Sequence, residues 1–236
     1  MALKKIVFVI VEGPTDDEAL GVMLERIFSS YTTHVEIMHC DITTEQPGRN
    51  SKLASNLAKT VRTFASQNHY TLRDFDRIIH LVDTDGAFVP DELVDEDPEI
   101  KKVKYYPGKI CAKNRNAIIE RNHRKSSNLR DLIRYDSIVG SIPYDVFYMS
   151  CNLDHVLYDI QNSSNDDKTK NALRFAKRYR NDVEGFVKYI SESDFSVTGD
   201  YYESWKFIED GVNSLGRHTN LALSFGPSLP GQKSNK

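Results

Sequence analysis

Apolar residues fall first into short unbroken runs and then into helical stripes, and that alternation sets the expected fold class. Residues 6–11 (IVFVIV) are apolar at every position and rich in β-branched side chains, as in a strand buried on both faces of a parallel sheet. A helix over residues 15–30 follows, with Leu20, Met23, Leu24, Ile27 and Phe28 in one stripe. Thr15 with Glu18 reads as its capping box. Residues 34–40 (HVEIMHC) make a second, partly alternating strand, and residues 41–50, with Pro47-Gly48, a loop. Residues 51–68 predict a second helix that turns Leu53, Leu57, Val61 and Phe64 inward and leaves Lys52, Lys59 and Arg62 to solvent. Residues 78–82 are a third buried strand and residues 144–150 a fourth, which feeds a helix. Between these two strands lie an acidic, proline-containing loop at 88–107 and a helical stretch at 109–133. That stretch turns Ile110, Ala117, Ile118, Leu129 and Leu132 inward, with a break at Ser126-Ser127. After a turn at 163–167, helices are expected at 168–180, 183–190 and 201–212, the only tryptophan, Trp205, falling in the core.

Strand, helix, strand, helix, strand with right-handed crossovers gives a parallel sheet covered by helices. The expected fold is α/β and Rossmann-like: a mainly parallel four-stranded sheet flanked by helices, with a C-terminal helical extension. Residues 1–160 would form the principal domain, with a basic helical insertion at about 101–135. Residues 161–225 would form the extension, and residues 226–236 (GPSLPGQKSNK) a disordered tail by composition.

Composition narrows the function classes. At 236 residues, 39% hydrophobic and 28% charged, the chain fits a soluble globular protein of one large domain, or of one domain with an appendage. A net charge of −3 rules out a global basic field, so a polyanion site must be local or built from metal ions. Cys40, Cys111 and Cys151 show no CxxC spacing and read as reduced thiols of a cytoplasmic protein. No signal peptide precedes the first strand, and no apolar run approaches the ~18 residues of a membrane span. Residues 101–134 carry eleven Lys and Arg against Glu120 and Asp131, +9 by formal count. That stripe is either a solvated helix face or a phosphate-binding surface, with Lys109, Lys113, Arg115, Arg121, Arg124 and Lys125 as the candidate contacts.

Carboxylates at strand ends carry the chemistry. Glu12 terminates the first apolar run, at the edge where open α/β sheets bind ligands, and Asp16 follows four residues later. Asp83-Thr84-Asp85-Gly86 terminates the third run. In an extended segment Asp83 and Asp85 project to one side, although the same four residues also make good turn chemistry. Asp154, just after the fourth strand, repeats the arrangement, with Asn152 as a helix cap. An acid in a first helical turn is also favoured by the helix dipole alone. With no base nearby in sequence, three or four such acids repel one another. A divalent cation is the simplest remedy, and all-oxygen ligands favour one or two Mg²⁺ or Mn²⁺ ions.

An apolar strand ending in Glu12-Gly13, followed two elements later by one ending in Asp83-Thr84-Asp85, resembles the Toprim domain. Topoisomerases, bacterial primases, the small ribonuclease that matures 5S ribosomal RNA, and OLD-like and RloB-like nucleases share that domain. The resemblance spans about residues 4–155, and Asp16 resembles the second acid of the OLD-like subset. It implies a metal-dependent nuclease acting on DNA or RNA, with Glu12, Asp83 and Asp85 catalytic and Glu12, Asp16, Asp83, Asp85 and Asp154 holding metal. It also implies an effector role in anti-phage defence. A Thr-Asn pair near the carboxyl end recurs in RloB-like proteins, so Thr219-Asn220 is expected to fold back toward the site. His218 beside it is either a general acid–base or merely exposed. The expected partners are nucleic acid, an ATPase in trans, since the chain lacks the GxxxxGK[ST] pattern, and a second copy of the chain. A topoisomerase or primase needs further apparatus for which 236 residues leave little room. The alternatives are a non-catalytic Toprim-like subunit that binds nucleic acid or an ATPase, and a site for a small phosphorylated metabolite.

Overall fold

The computed structural model describes residues 5–29, 33–44 and 53–226. In chain order its elements are β1 (Lys5–Val11), α1 (Pro14–Phe28), β2 (Thr33–His39), α2 (Leu53–Gln67), β3 (Phe75–Asp83), β4 (Val94–Glu96), β5 (Lys104–Tyr106), β6 (Lys109–Ala112), α3 (Arg115–Ile133), β7 (Tyr144–Met149), α4 (Leu153–Tyr158), α5 (Asn165–Tyr179), α6 (Val183–Glu192) and α7 (Tyr201–Glu209). The two-sided apolarity of β1 places it inside a four-stranded parallel sheet of order β2-β1-β3-β7. Ile6, Phe8 and Ile10 pack on one face with Leu57 and Val61 of α2, Leu129 and Leu132 of α3, and Trp205 and Ile208 of α7. Val7, Val9 and Val11 pack on the other face with Leu20 and Leu24 of α1, Val156 of α4, Phe175 of α5 and Phe186 of α6. Burying each such side chain contributes about 1.5–3 kcal/mol, so both faces of β1 anchor the fold. The C-terminal helices share these two cores with the sheet, and the result is a Rossmann-like α/β layer structure.

From β1 the chain crosses to β2 and then returns over β1 to β3. The strand order therefore reverses between β1 and β3, the point at which open parallel sheets form a crevice beyond their carboxyl ends. The far edge of β7 is closed by the chain's own end. Asn220 Oδ1 accepts the Tyr148 N–H at 2.8 Å, Thr219 Oγ1 donates to the Tyr148 carbonyl at 2.7 Å, and the Tyr201 hydroxyl bonds both polar groups of Val146. Covering an edge this way removes a template for unwanted strand pairing.

Several expectations change. α1 starts at Pro14 with Gly13 as its cap, and the Asp16 carboxylate accepts the Gly13 N–H at 2.9 Å. The box acid is therefore Asp16 rather than Glu18, because proline is preorganised for the first helical position. The acidic stretch 88–107 is not simply a loop. β4 and β5 flank β6 in a second, three-stranded sheet, held by a small core of Val89, Val94, Ile110 and Leu215. Residues 109–112 are thus strand rather than helix, Ile110 is buried in it, and Ala117 is exposed on α3. Ser126-Ser127 does not break α3, since Ser126 Oγ donates to the His123 carbonyl within the helix. α5 begins at Asn165 on a Ser164 cap, which shortens the expected turn. The Pro47-Gly48 loop and the tail from 227 lie outside the described residues. No helix among the described residues is long and apolar enough to cross a membrane.

Candidate active site

Glu12 is the first residue past β1. Its Oε1 accepts the Asp83 N–H at 3.1 Å and the Thr43 hydroxyl at 3.3 Å, so the ends of the two central strands are tied together. Asp83 ends β3, and its Oδ1 accepts the Leu153 N–H at the start of α4 at 3.0 Å. The β3–β7 pairing then continues beyond both strands. Thr84 N–H donates to Met149 O at 3.0 Å, Asp85 N–H to Cys151 O at 2.7 Å, and Cys151 N–H to Thr84 Oγ1 at 2.8 Å. Asp85 and Cys151 both adopt left-handed backbone, at φ +50° and +57°. Extended alternation therefore does not bring Asp83 and Asp85 together; a left-handed turn at Asp85 does, a conformation aspartate tolerates better than most residues. Gly86 follows at φ +66°, where an added Cβ would lie 2.7 Å from Leu215 Cδ2 and 2.9 Å from Ile110 Cδ1.

Lys125 changes the electrostatics. It is fully buried, its ammonium donates to Asp85 Oδ2, and it lies 3.4 Å from Glu12 Oε1. The acids therefore do have a neutralising base, brought from 113 residues beyond Glu12, and Lys125 is not available at the surface to hold phosphate. The signal for it is one of spacing: Lys125 shares the α3 stripe with Leu129 and Leu132, four and seven residues on. Arg121 also turns inward, donating to Asp85 O at 2.8 Å and to the Tyr105 hydroxyl at 3.0 Å, while Tyr105 itself donates to Asp85 Oδ1 at 3.3 Å. Arg115 braces the second sheet by donating to Val94 O at 2.7 Å and Asp91 O at 2.6 Å. Lys109 pairs with Asp95 at 2.8 Å, Arg124 is half-buried, and Lys113 is exposed. Lys125 and Arg121 are thus internal to the site and Arg115 to the second sheet, whereas Lys101, Lys102, Lys104, Lys109, Lys113, Arg130 and Arg134 of the segment are exposed.

Asp16 and Asp154 extend the cluster away from Lys125. Asp154 is 4% exposed in the first turn of α4 and lies 3.6 Å from Lys168 Nζ of α5; its Oδ1 is buried without a partner among the described residues. Burial, reinforced by Asp85 and Asp41 and opposed by Lys125, pushes Glu12 up to about 7. Burial and then Glu12, Asp16 and Asp85 hold Asp83 well above the carboxylate range. Asp16 is raised by burial with Asp154 adding, and Asp154 is raised by its own burial. Asp85 goes the other way. Burial works to raise it, but Lys125 and Arg121, with hydrogen bonds from Lys125 and Tyr105, outweigh that and keep it ionised. The site therefore holds more acid than its resident cations balance, and it takes up either protons or a further cation.

All-oxygen donors suit Mg²⁺ or Mn²⁺, and the partnerless Asp154 oxygen fits such a ligand. As they stand, no three Asp, Glu, His or Cys side chains among the described residues enclose a single ion, and the Lys125 ammonium stands between Glu12 and Asp85.

The remaining candidates are structural. Asn152 caps α4, accepting the His155 N–H at 3.0 Å. Thr219 and Asn220 fold back as expected, but onto the β7 edge and not among the acids. His218 packs edge-on against Phe207, with ring centroids 4.9 Å apart, and burial lowers its pKa. Its backbone carbonyl accepts the Ser150 N–H, which gives it a place in the scaffold and none in the acid cluster. Thr43, Tyr105 and Lys168 were not legible as site residues, since each reaches the cluster from a separate loop or element.

Comparison of the chain with family models, with curated proteins and with solved structures found no match.

Proposed function

We propose that this chain is a divalent-metal-dependent nuclease of the Toprim type, hydrolysing phosphodiester bonds of DNA or RNA in the crevice between β1 and β3. One observation carries the reading. Two adjacent parallel strands deliver Glu12 and Asp83 to the point where strand order reverses, hydrogen-bonded to each other and surrounded by Asp16, Asp85 and Asp154. A bound Mg²⁺ or Mn²⁺ supplies Lewis acidity toward a phosphoryl oxygen and lowers the pKa of water. Glu12, Asp83 and Asp85 would hold it, with Asp16 and Asp154 available to a second ion. The chain's own groups do the rest. Burial works to deprotonate Lys125, but Asp85, Glu12 and Asp83 keep it charged, so it stands as a fixed ammonium that holds Asp85 and Glu12 in place. Glu12, which burial pushes up to about 7 without an ion, would give up its proton to take the cation. Arg121 and Tyr105 hold Asp85 in its left-handed turn. An effector role in anti-phage defence belongs to the same proposal, by resemblance to OLD-like and RloB-like nucleases.

The place of Lys125 favours a second reading, a non-catalytic Toprim-like subunit whose lysine stands where a metal would and which binds nucleic acid or a partner ATPase. Labelled DNA and RNA, single- and double-stranded, incubated with Mg²⁺ or Mn²⁺ beside a Glu12→Gln protein, separate the two. Cleavage by the parent alone supports the nuclease. Cleavage by neither, with nucleic acid still bound, supports the subunit.

A further inference from the structure

α5 carries a row of cations without an acid among them. Residues 168–180 contain six Lys and Arg and no Asp or Glu. The helix buries Asn171, Ala172, Phe175 and Tyr179, and this turns Lys170, Leu173, Arg174, Lys177 and Arg180 to solvent. Among the described residues Lys170, Arg174, Lys177 and Arg180 have no ion pair or side-chain hydrogen bond. The neighbouring α1 exposes Glu18 and Glu25 without pairing either to α5. Leu173, 53% exposed, sits amid the cations. The helix does not end just anywhere. At its start Lys168 lies 3.6 Å from Asp154, so the basic face begins at the acid cluster and runs outward.

The insertion offers no comparable surface. Residues 91–113 hold five lysines against Asp91, Glu92, Asp95, Glu96, Asp97 and Glu99, and on α3 Lys125 and Arg121 turn to the acids, Arg115 to the second sheet and Arg130 to Glu209. From Lys168 to Arg180 the rise is about 18 Å at ~1.5 Å per residue, enough to follow roughly five phosphates of one strand at ~3.4 Å of axis each.

We propose that the exposed face of α5 is the track for a nucleic-acid backbone, with Lys170, Arg174, Lys177 and Arg180 taking phosphates, Leu173 an apolar contact, and Lys168 handing the strand to the crevice. The inference rests on the nuclease reading for what happens at the crevice, but binding can be measured without it.

The test is fluorescence anisotropy of a fluorescein-labelled 20-nucleotide single-stranded DNA, its duplex and the matching RNA, with the full chain in chelator so that nothing is cut. K170Q/R174Q/K177Q is compared with K101Q/K102Q/K104Q, and circular dichroism melting confirms that both fold. The α5 variant is expected to bind at least ~10-fold more weakly at low salt, with a log–log salt slope shallower by about 2–3; the insertion variant should change less than about threefold. If the α5 variant binds like the parent, or the insertion variant loses as much, the track is wrong. A parent that binds through α5 but cleaves nothing in any divalent ion keeps the track and sinks the nuclease. A parent that cleaves while α5 proves irrelevant does the reverse. A parent that neither binds nor cleaves sinks both.

Discussion

At the scale of single residues, Asp83 and Asp85 look interchangeable in the sequence and are opposites in the fold. Asp83 is held above the carboxylate range by burial and by its acidic neighbours, whereas Asp85 is kept ionised by Lys125 and Arg121. Asp83→Asn keeps an oxygen for the Leu153 N–H and removes a repelling charge, so without metal it should melt at the parent's temperature or above. Asp85→Asn strips a buried ammonium of its nearest partner and should melt lower. Lys125→Met leaves Asp85 and Glu12 uncompensated and should cost about 3–5 kcal/mol, the usual penalty for breaking a buried pair. Thermal melting of the three variants in chelator checks the signs. Equal shifts for the two asparagine variants would refute this division of roles. Protonation adds a second handle. Glu12 titrates near 7 when folded and at 4.5 when unfolded, so the native state binds more protons in between. Its contribution is full below about 4.5 and is lost as pH rises through 7. Relative to the parent, Glu12→Gln should therefore gain stability between pH 5 and pH 8 in urea titrations. His80 acts in the opposite sense. Burial lowers it to about 3 from 6.5, so its contribution is present above 6.5 and is lost as the medium is acidified toward 3.

At the scale of elements, β1 and the end of β3 were readable because a strand covered on both faces is apolar at successive positions, and the edge strand β2 from its partial alternation. The short strands β4 and β5 were not, since three residues cannot establish a period and their pairing with β6 closes over a long acidic excursion. The inward turn of α3 is half readable: the leucine stripe shows in the sequence, but nothing local distinguishes a lysine or arginine bound for buried carboxylates from one facing solvent or phosphate. The turn joining β3 to the insertion makes the sharpest prediction. Gly86 combines φ +66° with Leu215 and Ile110 on the side where a Cβ would point. Gly86→Ala should therefore destabilise by about 1–3 kcal/mol and disturb the left-handed Asp85 beside it, so it should weaken whatever the site binds more than Phe8→Ala does. Phe8→Ala, in the sheet core, should cost about 3–5 kcal/mol and leave site chemistry intact in the folded fraction. Urea unfolding together with the nucleic-acid assays distinguishes the two.

At the scale of the whole molecule, a net charge of −3 conceals a strong internal separation: acids gather at the carboxyl edge of the sheet, and cations without an ion pair among the described residues line α5. Neither concentration is visible in the total. The acidic pole makes the last prediction. Glu12, Asp83, Asp16 and Asp154 are all raised, so an ion entering among them must displace protons as it binds. A divalent ion that binds only the folded chain adds RT ln(1 + [L]/Kd), about 2.7 kcal/mol at a hundredfold excess over Kd. The melting temperature should rise in Mn²⁺ or Mg²⁺ over chelator, and the rise should be larger at pH 8 than at pH 6, where more of these carboxyls keep their protons. Calorimetry in buffers of different ionisation enthalpy should register the released protons. Asp154→Asn should reduce the effect, since its Oδ1 is buried without a partner among the described residues. If the melting temperature is the same in metal and chelator at both pH values, Lys125 is the only cation the cluster takes, and the non-catalytic subunit becomes the better account of this chain.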